Sequence, residues 1–167
     1  VVPTQRRTAT EAEVNALASG IRLRIIRLTF SEALTNKELA ERLGRDPATT
    51  LHHVRKLVDT GFLAAQPPRR GTRGAKEIPY LSTGRSWRLD THGSKVVDEA
   101  ILEAYLAEIS ETDFDDVRQT RLVVQISPDA RQEFEERLEK LLEEFKNMPV
   151  IPGAERIAIY FATYPSP

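Results

Sequence analysis

Two groups of side chains in this 167-residue chain are of types that could do chemistry together. Thr49, His52, Arg55 and Lys56 fall at helical spacing, and Arg69, Arg70, Arg73 and Lys76 crowd a segment that also holds Gly71 and Gly74. Hydroxyl and imidazole groups exchange hydrogen bonds with base edges, while guanidinium and ammonium groups pair with phosphate oxygens. Four cations on one loop repel each other, so they are best satisfied beside a polyanion such as a nucleic-acid backbone. A run of charge is more often a solvated loop. Its place directly after a two-helix pattern favours the phosphate reading.

The elements that must position these groups are legible from capping residues. Thr35 is followed three residues later by Glu38, the spacing of a capping box, with Leu39, Ala40 and Leu43 as the apolar face and Gly44 as the stop. Asp46 is an N-cap and Pro47 a first helical residue, so a second helix starts almost at once and can run to Gly61. The pair makes a helix-turn-helix. At about 100° per residue, Thr50, Val54, Leu57 and Val58 share the core side, and Ala48, Thr49, His52, Arg55, Lys56 and Asp59 the opposite one. Leu51 is left partly outside the core, where it could touch a thymine methyl or a neighbouring helix. Residues 62–66 and 77–82 read as two strands of a hairpin, with Pro67, Pro68 and the two glycines between them.

The order Leu17, Ala18, Arg22 to Leu28, then Leu34, Thr35, Asn36, Lys37, Glu38, Leu39, Ala40, then Pro47 to Val54, then Leu57 to Leu63 resembles the winged helix-turn-helix of ArsR-type bacterial transcriptional regulators. The resemblance covers about residues 11–90. It implies a homodimer that binds a double-stranded DNA operator and represses transcription until an effector releases it. By family position His52 faces DNA and His53 packs at the helix flank. The metal-sensing branch holds its ion through cysteines, and this chain has none.

Composition sets the surroundings. The chain is 40% hydrophobic and 29% charged, ordinary for a globular protein, and no apolar run is long enough for a membrane span. No basic-then-apolar leader opens the chain, and the absence of cysteine removes disulfides and thiolate chemistry, so a cytoplasmic location is expected. The net charge of −1 conceals a split of +7 through Asp90 and −8 beyond it. A basic DNA-binding half joined to an acidic half repelled by phosphates would show that division.

Outside the central unit, residues 1–10 read as a loose arm carrying Arg6 and Arg7. Thr10 caps a helix through Ala18 with Gly20 as its stop, and residues 22–33 form a second helix whose core residues include Leu23, Ile26 and Phe30. Residues 86–90 suggest a short strand with no readable partner. Thr91 caps a helix to about Ser110 that is apolar on two sides; Ile101, Leu102, Tyr105, Leu106 and Ile109 are the expected dimerisation residues. Asp113, Asp115 and Asp116 belong to a solvated connector. Residues 121–126 and 155–163 read as strands flanking a long helix from Pro128, capped by Ser127, to about Asn147. Two strands alone are marginal, so the sheet needs strands from the Trp87 segment or from a second subunit.

The reading is an α+β chain: a winged helix-turn-helix domain over 1–90, then a long helix and a small β-α-β unit over 91–167 for dimerisation and possible effector binding. Adjacent His52 and His53 point about 100° apart and suit one metal ion poorly, so neither metal nor cofactor is expected. No nucleophile–base set or phosphate-cradling glycine motif suggests an enzyme. The competing reading is a winged helix that serves protein assembly without reading bases.

Overall fold

The computed structural model describes residues 6–71 and 74–166. Its contacts divide the chain into a unit spanning Arg6–Thr112 and a second made mainly of Asp113–Pro167. The boundary therefore falls after Thr112 rather than after Asp90. The helix expected to lead the acidic half packs with the basic one.

In the first unit, α1 (Glu11–Leu17), α2 (Gly20–Leu28), α3 (Asn36–Leu43) and α4 (Pro47–Asp59) surround a small antiparallel sheet. Its strand order is β2 (Leu34–Thr35), β6 (Pro79–Ser82), β3 (Leu63–Ala65), with Leu34 opposite Tyr80 and Ala64 opposite Leu81. The core joins Leu17, Ile25, Leu34, Leu39, Val54, Leu57, Phe62 and Leu63, all nearly or fully buried. Burying an aliphatic or aromatic side chain of this size contributes about 1.5–3 kcal/mol. Tertiary packing, more than helix propensity, therefore holds these short helices.

The caps form as their residue types dictate. Capping boxes close at Thr10–Glu13 and Thr35–Glu38, and Gly44 takes a left-handed φ of 59° to end α3. Several boundaries differ from the sequence reading. Gly20 begins α2 rather than stopping α1, because Ser19 in an extended conformation already breaks the chain. The second helix ends at Leu28, which leaves Phe30 53% exposed instead of in the core. Thr29 takes the buried place, its hydroxyl donating to Ile25 O (2.8 Å), and its carbonyl accepts the Ser82 N–H (3.0 Å).

The arm is not loose where it is described. Arg7–Thr8 (β1) pairs in parallel with Leu89–Asp90 (β7), the partner unreadable in the sequence. Arg6 stacks over the Trp87 ring at 4.9 Å. Trp87 itself lies in a 3-10 turn, Arg85–Arg88, so only the end of the expected 86–90 strand forms.

Helix α5 spans Lys95–Ser110 with Ser94 as N-cap; Thr91 instead opens the preceding turn by accepting the Ser94 N–H. Val97, Ala100 and Ala104 are buried, and the side facing α2 carries Arg24–Glu111 (2.5 Å) and Arg27–Glu108 ion pairs. The Gly20 N–H donates to Glu103 (3.2 Å).

In the second unit, α6 (Pro128–Lys146) begins at the expected Ser127 cap, whose hydroxyl accepts the Ala130 N–H at 3.2 Å. Residues 121–126 and 155–163 form no strand ladder among the described residues. The physical reason is the marginal stability of a lone two-stranded sheet. Leu122, Val123 and Val124 are 57–79% exposed, so the described residues leave most of that segment uncovered.

Candidate nucleic-acid interface

The first turn of α4 is built to present its polar side. Asp46 accepts the N–H groups of Ala48 (2.9 Å) and Thr49 (3.1 Å), and the Thr50 hydroxyl turns inward to Asp46 O (2.9 Å). Asn36 of α3 donates to Pro47 O (2.9 Å), which latches the two helices at their starts. With Thr50, Val54 and Leu57 buried, Thr49, His52 and Arg55 are exposed and Lys56 is half-buried. The helix thus carries its four candidate residues toward solvent. Leu51 is half-buried, as its position on the wheel implies.

The wing follows through two backbone ties, Phe62 N–H to Leu57 O (2.8 Å) and Thr83 N–H to Phe62 O (3.0 Å). Beyond the three-stranded sheet, Arg69–Arg70 (β4) pairs with Lys76–Glu77 (β5), with Arg69 opposite Glu77 and Arg70 opposite Lys76. Like charges directly across a ladder are unfavourable. Arg69, Arg70 and Lys76 are exposed; Arg73 lies outside the described residues. A Cβ on Gly71 would fall 2.1 Å from Glu77 Cδ, so a larger residue there would displace the Glu77 side chain.

Among the described residues, no carboxylate pairs with Arg55, Lys56, Arg70 or Lys76. Arg69 differs: it donates to Glu38 at the start of α3. The Glu38 carboxyl lies below the usual carboxylate range, chiefly because it accepts the Thr35 backbone N–H, with Arg69 adding to the effect.

A second cationic cluster was not singled out in the sequence. Arg22 of α2 donates to Ala16 O (2.5 Å) and Asn15 O (2.7 Å), and its Nη1 lies 3.4 Å from His53 Nδ1. Burial, then the charges of Arg22, His52 and Arg45, lower the His53 pKa from its ordinary value. The His52 and His53 rings meet edge-on at 5.8 Å. The only sequence signal was the pair of histidines, and it gave no hint that α2 supplies the neighbouring guanidinium.

Glu13, legible in the sequence as an acidic residue suited to the positive end of α1, does more than that. Its side chain is 4% exposed and takes both Arg7 (2.5 and 2.9 Å) and Arg85 (2.7 and 2.9 Å). It joins the arm, α1 and the segment leaving the wing.

A helix-turn-helix followed by an antiparallel hairpin defines a winged helix-turn-helix fold. Residues 17–65, from the end of α1 through β3, match the family model described as a helix-turn-helix domain. No curated relative matches the chain. Solved structures similar to it include reduced HlyU from Vibrio cholerae, at 20% identity over 57% of this chain and 84% of that one, TM-score 0.37. A mutant of ZitR from Lactococcus lactis in apo form is 20% identical over 77% and 83%, TM-score 0.35. A mutant of MepR from S. aureus bound to an oligodeoxyribonucleotide is 21% identical over 78% of each chain, TM-score 0.33.

Proposed function

We propose that this protein is a sequence-specific, double-stranded DNA-binding transcriptional regulator that acts as a homodimer and represses from its operator. The observation that carries the reading is Arg70 facing Lys76 across the β4–β5 ladder, on the hairpin that follows α4, without a carboxylate partner for either among the described residues. A phosphate between them would turn a repulsion into two charge-assisted hydrogen bonds. In this reading α4 enters a major groove, with Thr49 and His52 at base edges and Arg55, Lys56, Arg69, Arg70, Arg73 and Lys76 on phosphates.

The homodimer rests on α5, whose second stripe has Ile101, Leu102 and Leu106 39–54% exposed and Tyr105 and Ile109 half-buried. A two-fold pair would set half-sites about one helical turn apart. A small-molecule effector acting on the acidic unit would work by altering that spacing. Its test is a metabolite panel read by thermal stabilisation and DNA release.

The decisive experiment is a titration of genomic fragments at rising salt. Affinity should fall steeply, and an Arg69→Ala, Arg70→Ala chain should lose about two units of the log–log slope. Salt-independent binding, or no binding to any fragment, would leave the winged helix as a protein-assembly module.

A further inference from the structure

The apolar stripe of α6 reads the same from both ends. Phe134, Leu138, Leu141 and Phe145 follow at steps of four, three and four residues, and all lie within a narrow arc of the helix. The stripe is open along most of its length: the Phe134 ring meets Phe161 of the same chain at 6.0 Å, yet Phe134, Leu141 and Phe145 are 45%, 51% and 58% exposed. It borders a groove of about 650 Å³ lined by Phe134, Arg137, Leu138, Lys140, Leu141 and Glu144.

We propose that this stripe is a contact between two copies of the chain, with the two α6 helices antiparallel about a two-fold axis passing midway between Glu139 and Lys140. In that register Phe134 meets the partner's Phe145 and Leu138 meets the partner's Leu141, so the four residues of the stripe pair like with like. Charge fits the same occupant. Arg137 and Glu144 lie on one flank of the stripe, and an antiparallel pair brings each flank against its own copy, so Arg137 faces the partner's Glu144 twice. A partner of other sequence would need this pattern by coincidence; a second copy has it by identity. The proposal deepens the homodimer reading by adding a contact separate from α5.

The test uses the full chain. Arg137→Glu and Glu144→Arg are exposed substitutions, and each alone should weaken dimerisation about tenfold by sedimentation equilibrium, while the double substitution restores it. Because the chain has no cysteine, register can be read by disulfides. Chains carrying Phe134→Cys and chains carrying Phe145→Cys should cross-link to one another when mixed. Neither should cross-link to itself, since antiparallel pairing holds like positions about 17 Å apart along the axis. Self-cross-linking of either variant means parallel pairing and overturns the proposal. A dimer indifferent to both charge reversals and without the mixed disulfide overturns it while leaving the α5 homodimer standing. A chain monomeric at all concentrations removes both.

Discussion

Arg69 of the wing donates to Glu38 at the start of α3, and the same carboxylate holds the Thr35 N–H at 2.7 Å. One acidic group therefore closes a helix cap and restrains a side chain assigned to DNA. Arg69 and Glu38 are 46% and 37% exposed, so the pair is worth under about 1 kcal/mol and a phosphate can displace it. Glutamine also serves in a capping box. Glu38→Gln should keep the fold, release Arg69 and raise DNA affinity by up to about fivefold in a fluorescence anisotropy titration. A loss of affinity with an unchanged melting curve would mean that Glu38 holds Arg69 toward DNA rather than away from it.

Glu13 should behave as a structural hub. Its carboxyl is held well below the usual carboxylate range, first by the Arg7 guanidinium, against the opposing effect of burial, with Thr10 and Arg85 adding. Its folded pKa is therefore below its unfolded value. The stabilisation is fully present above about pH 4.3 and is lost as pH falls from there through the folded pKa. Removing one member of a buried pair costs about 3–5 kcal/mol, and the half-exposed arginines reduce that to roughly 2–3 for Glu13→Gln. Urea unfolding of both chains at pH 7 and pH 3 checks this. The gap between them should narrow at the lower pH, and a constant gap would show that charge is not what Glu13 supplies.

The parts of the fold that were legible in the sequence are those decided locally. Thr35 with Glu38, Asp46 with Pro47 and Ser127 with Pro128 announce their helices because a cap is settled within a few residues. Which side of α4 is buried followed from period alone. The sequence could not reveal pairings between distant residues: Arg7 and Arg85 on Glu13, Arg24 on Glu111, or β1 beside β7. Each depends on packing that brings separate segments together, and an isolated arginine looks the same whether it will meet phosphate or a carboxylate. The Arg69–Glu38 pair shows this within the candidate site itself.

His53 should couple DNA binding to protons. In the free protein burial and the nearby Arg22, His52 and Arg45 keep its pKa below the ordinary value near 6.5. A folded pKa below the unfolded one means His53 contributes stability above about pH 6.5 that is lost as pH falls through the folded pKa. Phosphate beside Arg22 and Arg45 would neutralise the repulsion and raise the His53 pKa, so binding takes up a fraction of a proton. Affinity should increase as pH falls from about 8 to 6, and His53→Gln should flatten the dependence. Calorimetry in buffers of different ionisation enthalpy reads the proton directly; release of a proton, or none exchanged by either chain, rules the coupling out.

The contact proposed for α5 can be broken without disturbing what lies beneath it. Val97, Ala100 and Ala104 seal one side of the helix against α2, and Leu106, 54% exposed, stands on the other. Burying a leucine contributes about 1.5–3 kcal/mol, and two-fold symmetry counts it twice. Leu106→Asp adds the cost of desolvating two carboxylates, so dimerisation should weaken at least about a hundredfold while the monomer's circular dichroism and melting are retained. DNA binding should fall with it, because a monomer engages one half-site and loses the gain from tethering the second. A Leu106→Asp chain that sediments as the same dimer and binds a two-half-site operator unchanged would remove α5 from the interface.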